Sequence, residues 1–209
     1  MLTNRIITGA IAIMGVAVLA AYFVMTMQKP DSAAHAQSAP IAGDWPQIEI
    51  TVRGEASGKI VLDLFDDVAP QHVERVLTLA RDGTYDNVVF HRVIDGFMAQ
   101  SGDVENGKLG GNLAAAGSGG SSFPDLPAEF SDRGFVRGTL GMARSSSPNS
   151  ANSQFFIMFA PAPHLNGQYT VVGQVVTGLD VLDAIKRGTG GNGAIVGDPD
   201  VMSTVRVVE

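Results

Sequence analysis

Apolar and polar residues alternate from Gln47 to Val52 and again from Lys59 to Phe65, where Ile60, Leu62 and Leu64 fall on one side and Lys59, Val61 and Asp63 on the other. A period of two marks strands, and the Gly-bearing stretch from Gly54 to Gly58 joins them as a predicted hairpin. Pro70 then opens a segment with Val73, Val76, Leu77 and Ala80 at the i, i+3, i+4, i+7 spacing of an amphipathic helix, stopped at Gly83. Short β-rich pieces follow at Val88 to Ile94, Phe97 to Gln100, Thr139 to Ala143, Gln154 to Phe159 and Thr170 to Val175. A second helix is predicted from Leu179 to Arg187 and a closing strand from Thr204 to Val208. Many short strands with two isolated helices predict a mainly β fold, a closed antiparallel barrel, since closure removes exposed edges. The Gly/Ser/Ala-rich stretch between Val104 and Pro127 has no periodicity and is predicted to be a functional or mobile loop.

The N-terminal pattern is different. From Ile6 to Met27 the chain runs 22 residues without a charge, and a helix of that length covers about 33 Å, enough for a bilayer core. No polar face exists at any helical spacing, so residues 1–29 are read as a segment that engages a membrane. Ala34-His35-Ala36 resembles a cleavage site, but the apolar run exceeds that of an ordinary signal peptide, which favours a retained anchor over cleavage near Ala36. Arg5 precedes the run, while Lys29 and Asp31 cancel after it, an orientation that leaves the N-terminus in the cytoplasm and exports the rest, periplasmic and anchored or secreted after cleavage. Residues 30–45 read as a flexible linker and 46–209 as one domain.

Composition narrows the chemistry. The 209 residues are 45% hydrophobic and 17% charged, which suits a folded protein, and the net charge of −7 without any Lys/Arg cluster opposes a nucleic-acid partner. There is no cysteine for a thiolate or a zinc site, and the four histidines show no metal-pair spacing, so neither metal nor cofactor is expected. Gly188-Thr189-Gly190-Gly191-Asn192-Gly193 matches a dinucleotide fingerprint, but it follows a helix instead of opening one and is read as a loop. Ala116-Gly117-Ser118-Gly119-Gly120 lacks the strand and helix that would strain a nucleophilic serine into place.

The informative stretch is Phe90-His91-Arg92-Val93-Ile94-Asp95-Gly96-Phe97-Met98-Ala99-Gln100-Ser101-Gly102-Asp103. In a period-2 reading Arg92 and Ile94 share a face before the Asp95-Gly96 turn, and Met98 and Gln100 share one after it, so a cation, an amide and apolar surface can converge. A second cluster, Gly138-Thr139-Leu140-Gly141-Met142-Ala143-Arg144 and Asn152-Ser153-Gln154-Phe155-Phe156-Ile157, carries two adjacent strand aromatics, one of which must face away from the core.

Together with the later Leu165-Asn166-Gly167-Gln168-Tyr169-Thr170-Val171-Val172-Gly173-Gln174-Val175, these signatures resemble the cyclophilin-type peptidyl-prolyl cis/trans isomerases, in particular bacterial branches, from about Ile48 to Val208. The resemblance implies an eight-stranded closed barrel capped by two helices, with a proline pocket on its outer surface and proline-containing polypeptides as clients. It implies catalytic Arg92 and Gln100, pocket residues Phe97, Met98, Ala143, Phe156, Leu165 and Tyr169, and supporting His91 and Gln154. Gln100 is expected to fix the substrate backbone, and His91 is read as a buried, hydrogen-bonded structural histidine. His164 stands where many eukaryotic members have a tryptophan, so weak cyclosporin binding is expected. Tyr169 stands where they have a pocket histidine and Arg144 where an asparagine is common, and the turn at Ser145 to Pro148 looks one residue longer. The rival reading is a module that binds proline segments as a chaperone or scaffold with little activity, which would not require Arg92.

Overall fold

The computed structural model of the protein describes residues 43–208; the expected membrane segment 1–29 and, except for residues 43–45, the expected linker 30–45 lie outside the described residues. Among the described residues no helix is long and apolar enough to cross a membrane. The predicted hairpin is present: β1 (Gln47–Arg53) and β2 (Gly58–Leu64) pair antiparallel, with Ile48 opposite Leu62 and Ile50 opposite Ile60, all four fully buried. Helix α1 (Pro70–Arg81) follows with Pro70 in its first turn, where the missing N–H costs nothing. Its buried residues include the predicted Val73, Val76, Leu77 and Ala80, joined by His72 and Leu79.

The remaining strands are β3 (Val88–Val89), β4 (Arg92–Ile94), β5 (Met98–Ser101), β6 (Thr139–Met142), β7 (Phe155–Met158), β8 (Val171–Thr177) and β9 (Val201–Val208), with α2 (Leu179–Ala184) between the last two. They form one antiparallel sheet in the order β3-β9-β1-β2-β8-β6-β7-β5-β4. The expected closed barrel of eight strands is therefore corrected to a curled, open half-barrel of nine. The ladder ends where the single predicted strand from Val88 to Ile94 divides at Phe90 and His91. There the Phe90 N–H donates to the Asp200 carbonyl (2.9 Å) and the His91 carbonyl accepts from Ile195 (3.2 Å), so loop partners replace a ladder. Two boundaries move by three residues from the pattern-based ones. Helix α2 stops at Ala184 because Ile185 turns to φ −57°, ψ 129°. Strand β9 begins at Val201, three residues before the predicted start, since Val201 and Met202 pair with both β1 and β3.

The sheet carries apolar side chains on both faces at one end. The main core joins β1, β2 and α1 to Ala99, Leu140, Met142, Phe155 and Ile157. On the opposite face of β5 and β7, Met98, Phe156 and Met158 pack with Phe65, Phe135, Leu165 and Val171 in a second cluster. Phe155 and Phe156 thus divide between the faces, as strand alternation requires. Gly141 makes the second cluster possible: a Cβ there would lie 2.5 Å from Phe135 Cε1 and 2.6 Å from Phe156 Cζ, closer than those rings could accept.

Helix α1 is tied to the segment that follows the long loop by a pair in which His72 is buried and Glu129 partly buried. His72 Nδ1 donates to Glu129 Oε2 at 2.6 Å, and the backbone N–H groups of His72 and Gln71 donate to the same carboxylate. Burial holds His72 below the ordinary imidazole value despite the opposing Glu129, and burial likewise lowers His91. For Glu129, burial acts upward, but the hydrogen bonds from His72 and Gln71 outweigh it and hold the carboxyl below its usual range. All three shifts mean that the unfolded chain binds more protons than the native one as pH falls, so stability rises with pH across the window. Thermal melts are expected to drop first as pH falls through the unfolded histidine range near 6.5 and again below the carboxylate range near 4.5. A melting temperature independent of pH between 7.5 and 5 would contradict this assignment of the two imidazoles.

Candidate active site

Arg92 and Gln100 meet because β4 and β5 pair in the register Arg92 opposite Gln100, Val93 opposite Ala99 and Ile94 opposite Met98. Strand β5 in turn pairs with β7, which sets Gln100 opposite Phe156. From this register follows a continuous polar relay: Arg92 Nη1 donates to Gln100 Oε1 (3.0 Å), Gln100 Nε2 to Gln154 Oε1 (2.9 Å), and Gln154 Nε2 to the Gly119 carbonyl (2.8 Å). A guanidinium can only donate and a carbonyl can only accept, so the two ends fix the orientation of both amides. Gln100, expected to bond the substrate backbone, has its oxygen and one N–H engaged within the protein and is placed to orient Arg92.

On its other edge Arg92 donates through Nε to the Asn192 carbonyl and through Nη2 to Asn192 Oδ1, both at 3.0 Å. Nη1 also lies 4.0 Å from Met98 Sδ, which turns the guanidinium toward the second apolar cluster. Partial burial pulls the Arg92 pKa below the ordinary guanidinium value, with Tyr169 acting the other way, and the group stays cationic at neutral pH.

The expected pocket residues gather beside it. Met98, Phe156 and Leu165 belong to the second cluster, and Phe97, Ala143 and Tyr169 pack against it partly buried. Phe156 stacks on Phe135 (5.7 Å between centroids) and meets Tyr169 edge-on (5.8 Å), while Phe97 stacks with His164 at 5.9 Å. Arg144 covers the Tyr169 ring at 4.3 Å and donates to the carbonyls of Gln168 and Ser145. The patch is apolar with a cation at one side, and beyond Gln100 it opens into a cavity of about 490 Å³ walled by Gly117 to Ser121, Arg144 and Asn152.

His91 is buried as expected; neither ring nitrogen meets a protein partner within strict hydrogen-bond geometry among the described residues, while the Val89 backbone beside the ring favours its charged form against burial. Its Cδ2 and Nε2 lie 3.2 Å from where a Cβ on Gly117 would stand, and Gly117, at φ +99°, leaves room for the imidazole. Burial lowers the His91 pKa against the pull of the Asp103 carboxylate, so the ring is neutral at neutral pH, which does not suit a proton donor.

Two contributors were not assigned from the sequence. Asp103, fully buried, accepts from the backbone N–H groups of Glu105, Asn106, Gly117 and Gly119 at 2.7 to 3.2 Å, and so holds the loop that presents the Gly119 carbonyl to Gln154. Asn192 lies in the glycine run read as a loop. Asp103 closes the quoted signature and could have been suspected from that position, whereas no spacing rule links Asn192 to Arg92 across the chain.

The family model described as cyclophilin type peptidyl-prolyl cis-trans isomerase/CLD matches residues 47–208. A probable peptidyl-prolyl cis-trans isomerase of Brucella suis is 58% identical over 145 residues, 68% of this chain and 74% of the relative. An Arabidopsis thaliana peptidyl-prolyl cis-trans isomerase, CYP18-1, is 41% identical over 138 residues, 65% of this chain and 81% of its own. Among solved structures, a Cryptosporidium parvum cyclophilin type peptidyl-prolyl cis-trans isomerase crystallised in the presence of the dipeptide Ala-Pro superposes with a TM-score of 0.65 at 27% identity, over 78% of this chain and 99% of that one. With the family model spanning the whole described sheet, the chain belongs to the cyclophilin-type peptidyl-prolyl cis/trans isomerases, enzymes that interconvert the two forms of the peptide bond before proline.

Proposed function

We propose that this isomerase acts on proline-containing segments of exported proteins, from a domain held on the outer side of the membrane by residues 1–29, and that Arg92 is its catalytic residue. The observation that carries the catalytic part is the position of one guanidinium, held at three nitrogens, against the apolar patch of Met98, Phe156 and Leu165. Rotation about a peptide bond faces about 18–20 kcal/mol because resonance stiffens the C–N bond, and no bond is broken in passing. What is needed is a donor that prefers the pyramidal nitrogen of the twisted state to the planar one of the ground state. Arg92 supplies it. The apolar patch receives the pyrrolidine ring and excludes water, which strengthens the donor's field. This chemistry asks for no metal, nucleophile or cofactor.

Export is supported by the uncharged Ile6 to Met27 run with Arg5 before it. Fractionation of cells making the native chain tests it, together with NMR exchange of an X-Pro peptide on the same preparation. Recovery of active protein only from the cytoplasm would refute export while leaving the catalytic assignment standing. Mass spectrometry of the N-terminus separates a retained anchor from cleavage after Ala36.

Cyclosporin is expected to inhibit weakly. His164 offers a smaller ring than an indole and is already stacked on Phe97. A His164→Trp variant should bind the drug more tightly, by up to about tenfold, since an added aromatic contact contributes about 0.5 to 1.5 kcal/mol. Equal titration curves for parent and variant would show that this position does not govern the drug.

A further inference from the structure

The Gly188–Gly193 run neither follows a strand nor opens a helix, and its placement shows what it does instead. Strand β4 ends the sheet, so one of its edges has no strand partner. The run lies along that edge: the Gly188 N–H donates to the Val93 carbonyl (2.9 Å), the Ile195 N–H to the His91 carbonyl (3.2 Å), and Ala194 bridges to Arg92. Covering an edge in this way protects it from pairing with another chain, but edge protection asks only for backbone groups. It does not explain the one side chain at the apex.

That side chain is Asn192. Between the two anchor points the chain reverses tightly, with the Gly190 N–H donating to the Ala194 carbonyl and the Gly193 N–H to the Gly190 carbonyl. Asn192 stands in the turn at φ 56°, ψ 29°, the left-handed region, among glycines on both sides. Glycine would adopt this conformation at less cost, and asparagine is the side chain that tolerates it best. Its amide oxygen has a use: Oδ1 accepts from Arg92 Nη2 while the Asn192 carbonyl accepts from Nε, so one residue grips the outer edge of the guanidinium with two parallel bonds. Gln100 takes Nη1 from the other side. All three nitrogens are then fixed and the plane of the fork cannot rotate, while an N–H of Nη1 remains toward Met98 and the pocket. Both partners are neutral. A carboxylate would hold the fork as firmly but would cancel part of the charge on which the donor's effect depends.

We propose that Asn192 is a positioning residue for the isomerisation, acting solely through Arg92: its side-chain oxygen pre-orients the guanidinium so that the donor faces the prolyl nitrogen without reorganisation during rotation. The proposal rests on the reading of Arg92 as the donor, and the test separates the two. In the full-length chain, Asn192→Gly keeps the backbone conformation and the carbonyl acceptor and removes only Oδ1. It should lower turnover of a saturating X-Pro peptide by about tenfold, the lower end for a hydrogen bond to a charged group because this one is partly exposed. Peptide affinity should stay within about twofold, since the interaction acts in the transition state.

The same substitution in an Arg92→Ala background should change nothing, because the residue it orients is gone. In the unsubstituted chain the Arg92 Nη2 protons, bonded to Asn192 Oδ1, should exchange slowly by NMR, faster in Asn192→Gly and slowly again in Asn192→Asp, which restores an acceptor at the same place. If Arg92→Ala is slow but Asn192→Gly turns over like the parent, the positioning role is wrong and the assignment of Arg92 stands. If Asn192→Gly slows both backgrounds equally, the loop acts by another route and the proposal fails. A parent-like rate for Arg92→Ala removes the donor and the proposal together. Arg92 Nη2 protons that exchange in the unsubstituted chain as fast as in a free peptide overturn it whatever the variants do.

Discussion

Arg92→Ala is expected to lower the turnover of a saturating X-Pro peptide by about 10² to 10³, roughly 3 to 4 kcal/mol, the usual cost of deleting one preorganised donor from an enzyme site. Peptide affinity should change much less, because the nitrogen lone pair is available to a donor only once the bond has twisted. Arg92→Lys should also be impaired. The protein addresses three separate nitrogens of the fork, Nε and Nη2 from Asn192 and Nη1 from Gln100, and an ammonium offers a single nitrogen to satisfy partners on both sides. Phe156→Ala gives the contrast. It removes the ring between Phe135 and Tyr169, so it should weaken peptide binding and regain part of its rate at high peptide concentration. NMR exchange at saturation, with a thermal melt of each variant, decides between these outcomes. A folded Arg92→Ala protein that isomerises bound peptide at the parent rate would show that the apolar patch alone carries catalysis.

The part of this site that was legible in the sequence is the part built from one hairpin and its neighbour. Alternation puts Arg92 and Ile94 on one face before the turn and Met98 and Gln100 on one face after it, and the strand pairing then sets Arg92 opposite Gln100 and Ile94 opposite Met98. The division of Phe155 and Phe156 between two faces follows from the same period. Closure of the sheet was not legible, because Val88 to Ile94, β-prone on both sides of His91 and Arg92, reads as one strand whether or not its middle residues bond to a ladder. Whether Phe90 and His91 pair with a strand or with Asp200 and Ile195 depends on partners about a hundred residues away. The early start of β9 was hidden for a related reason: Ser203-Thr204 interrupts the alternation, and Asp198-Pro199-Asp200 has the composition of a turn. Asn192 and Asp103 were hidden for a related reason, since Asn192 lies in, and Asp103 bonds to, a segment that has no periodicity.

Asp103 yields the second large effect, this time on the scaffold. Its side chain is fully buried, and its two oxygens take four backbone N–H groups: Glu105 and Asn106 on Oδ1, Gly117 and Gly119 on Oδ2. Replacing it with alanine leaves those donors without an acceptor, and at about 1 to 3 kcal/mol for each buried group so orphaned, with water reaching some of them, a loss of about 3 kcal/mol or more is expected. For a domain of this size that corresponds to a melting temperature lower by roughly 6 to 12 °C. The consequence should reach the site by a traceable route. Gly119 is held by Asp103 through its N–H and holds Gln154 through its carbonyl, Gln154 holds Gln100, and Gln100 holds Arg92. Loosening the first link should therefore slow turnover by less than the loss of Arg92 itself. Asp103→Asn keeps one acceptor oxygen and should fall between parent and alanine in both readouts. Amide exchange offers the local check, since the Gly117 and Gly119 protons should lose protection in Asp103→Ala before the strands do. If those two amides stay protected and the melting temperature stays within 1 °C of the parent, to the precision of about 0.3 kcal/mol that such a shift represents, then Asp103 does not hold the loop and the relay must be anchored elsewhere.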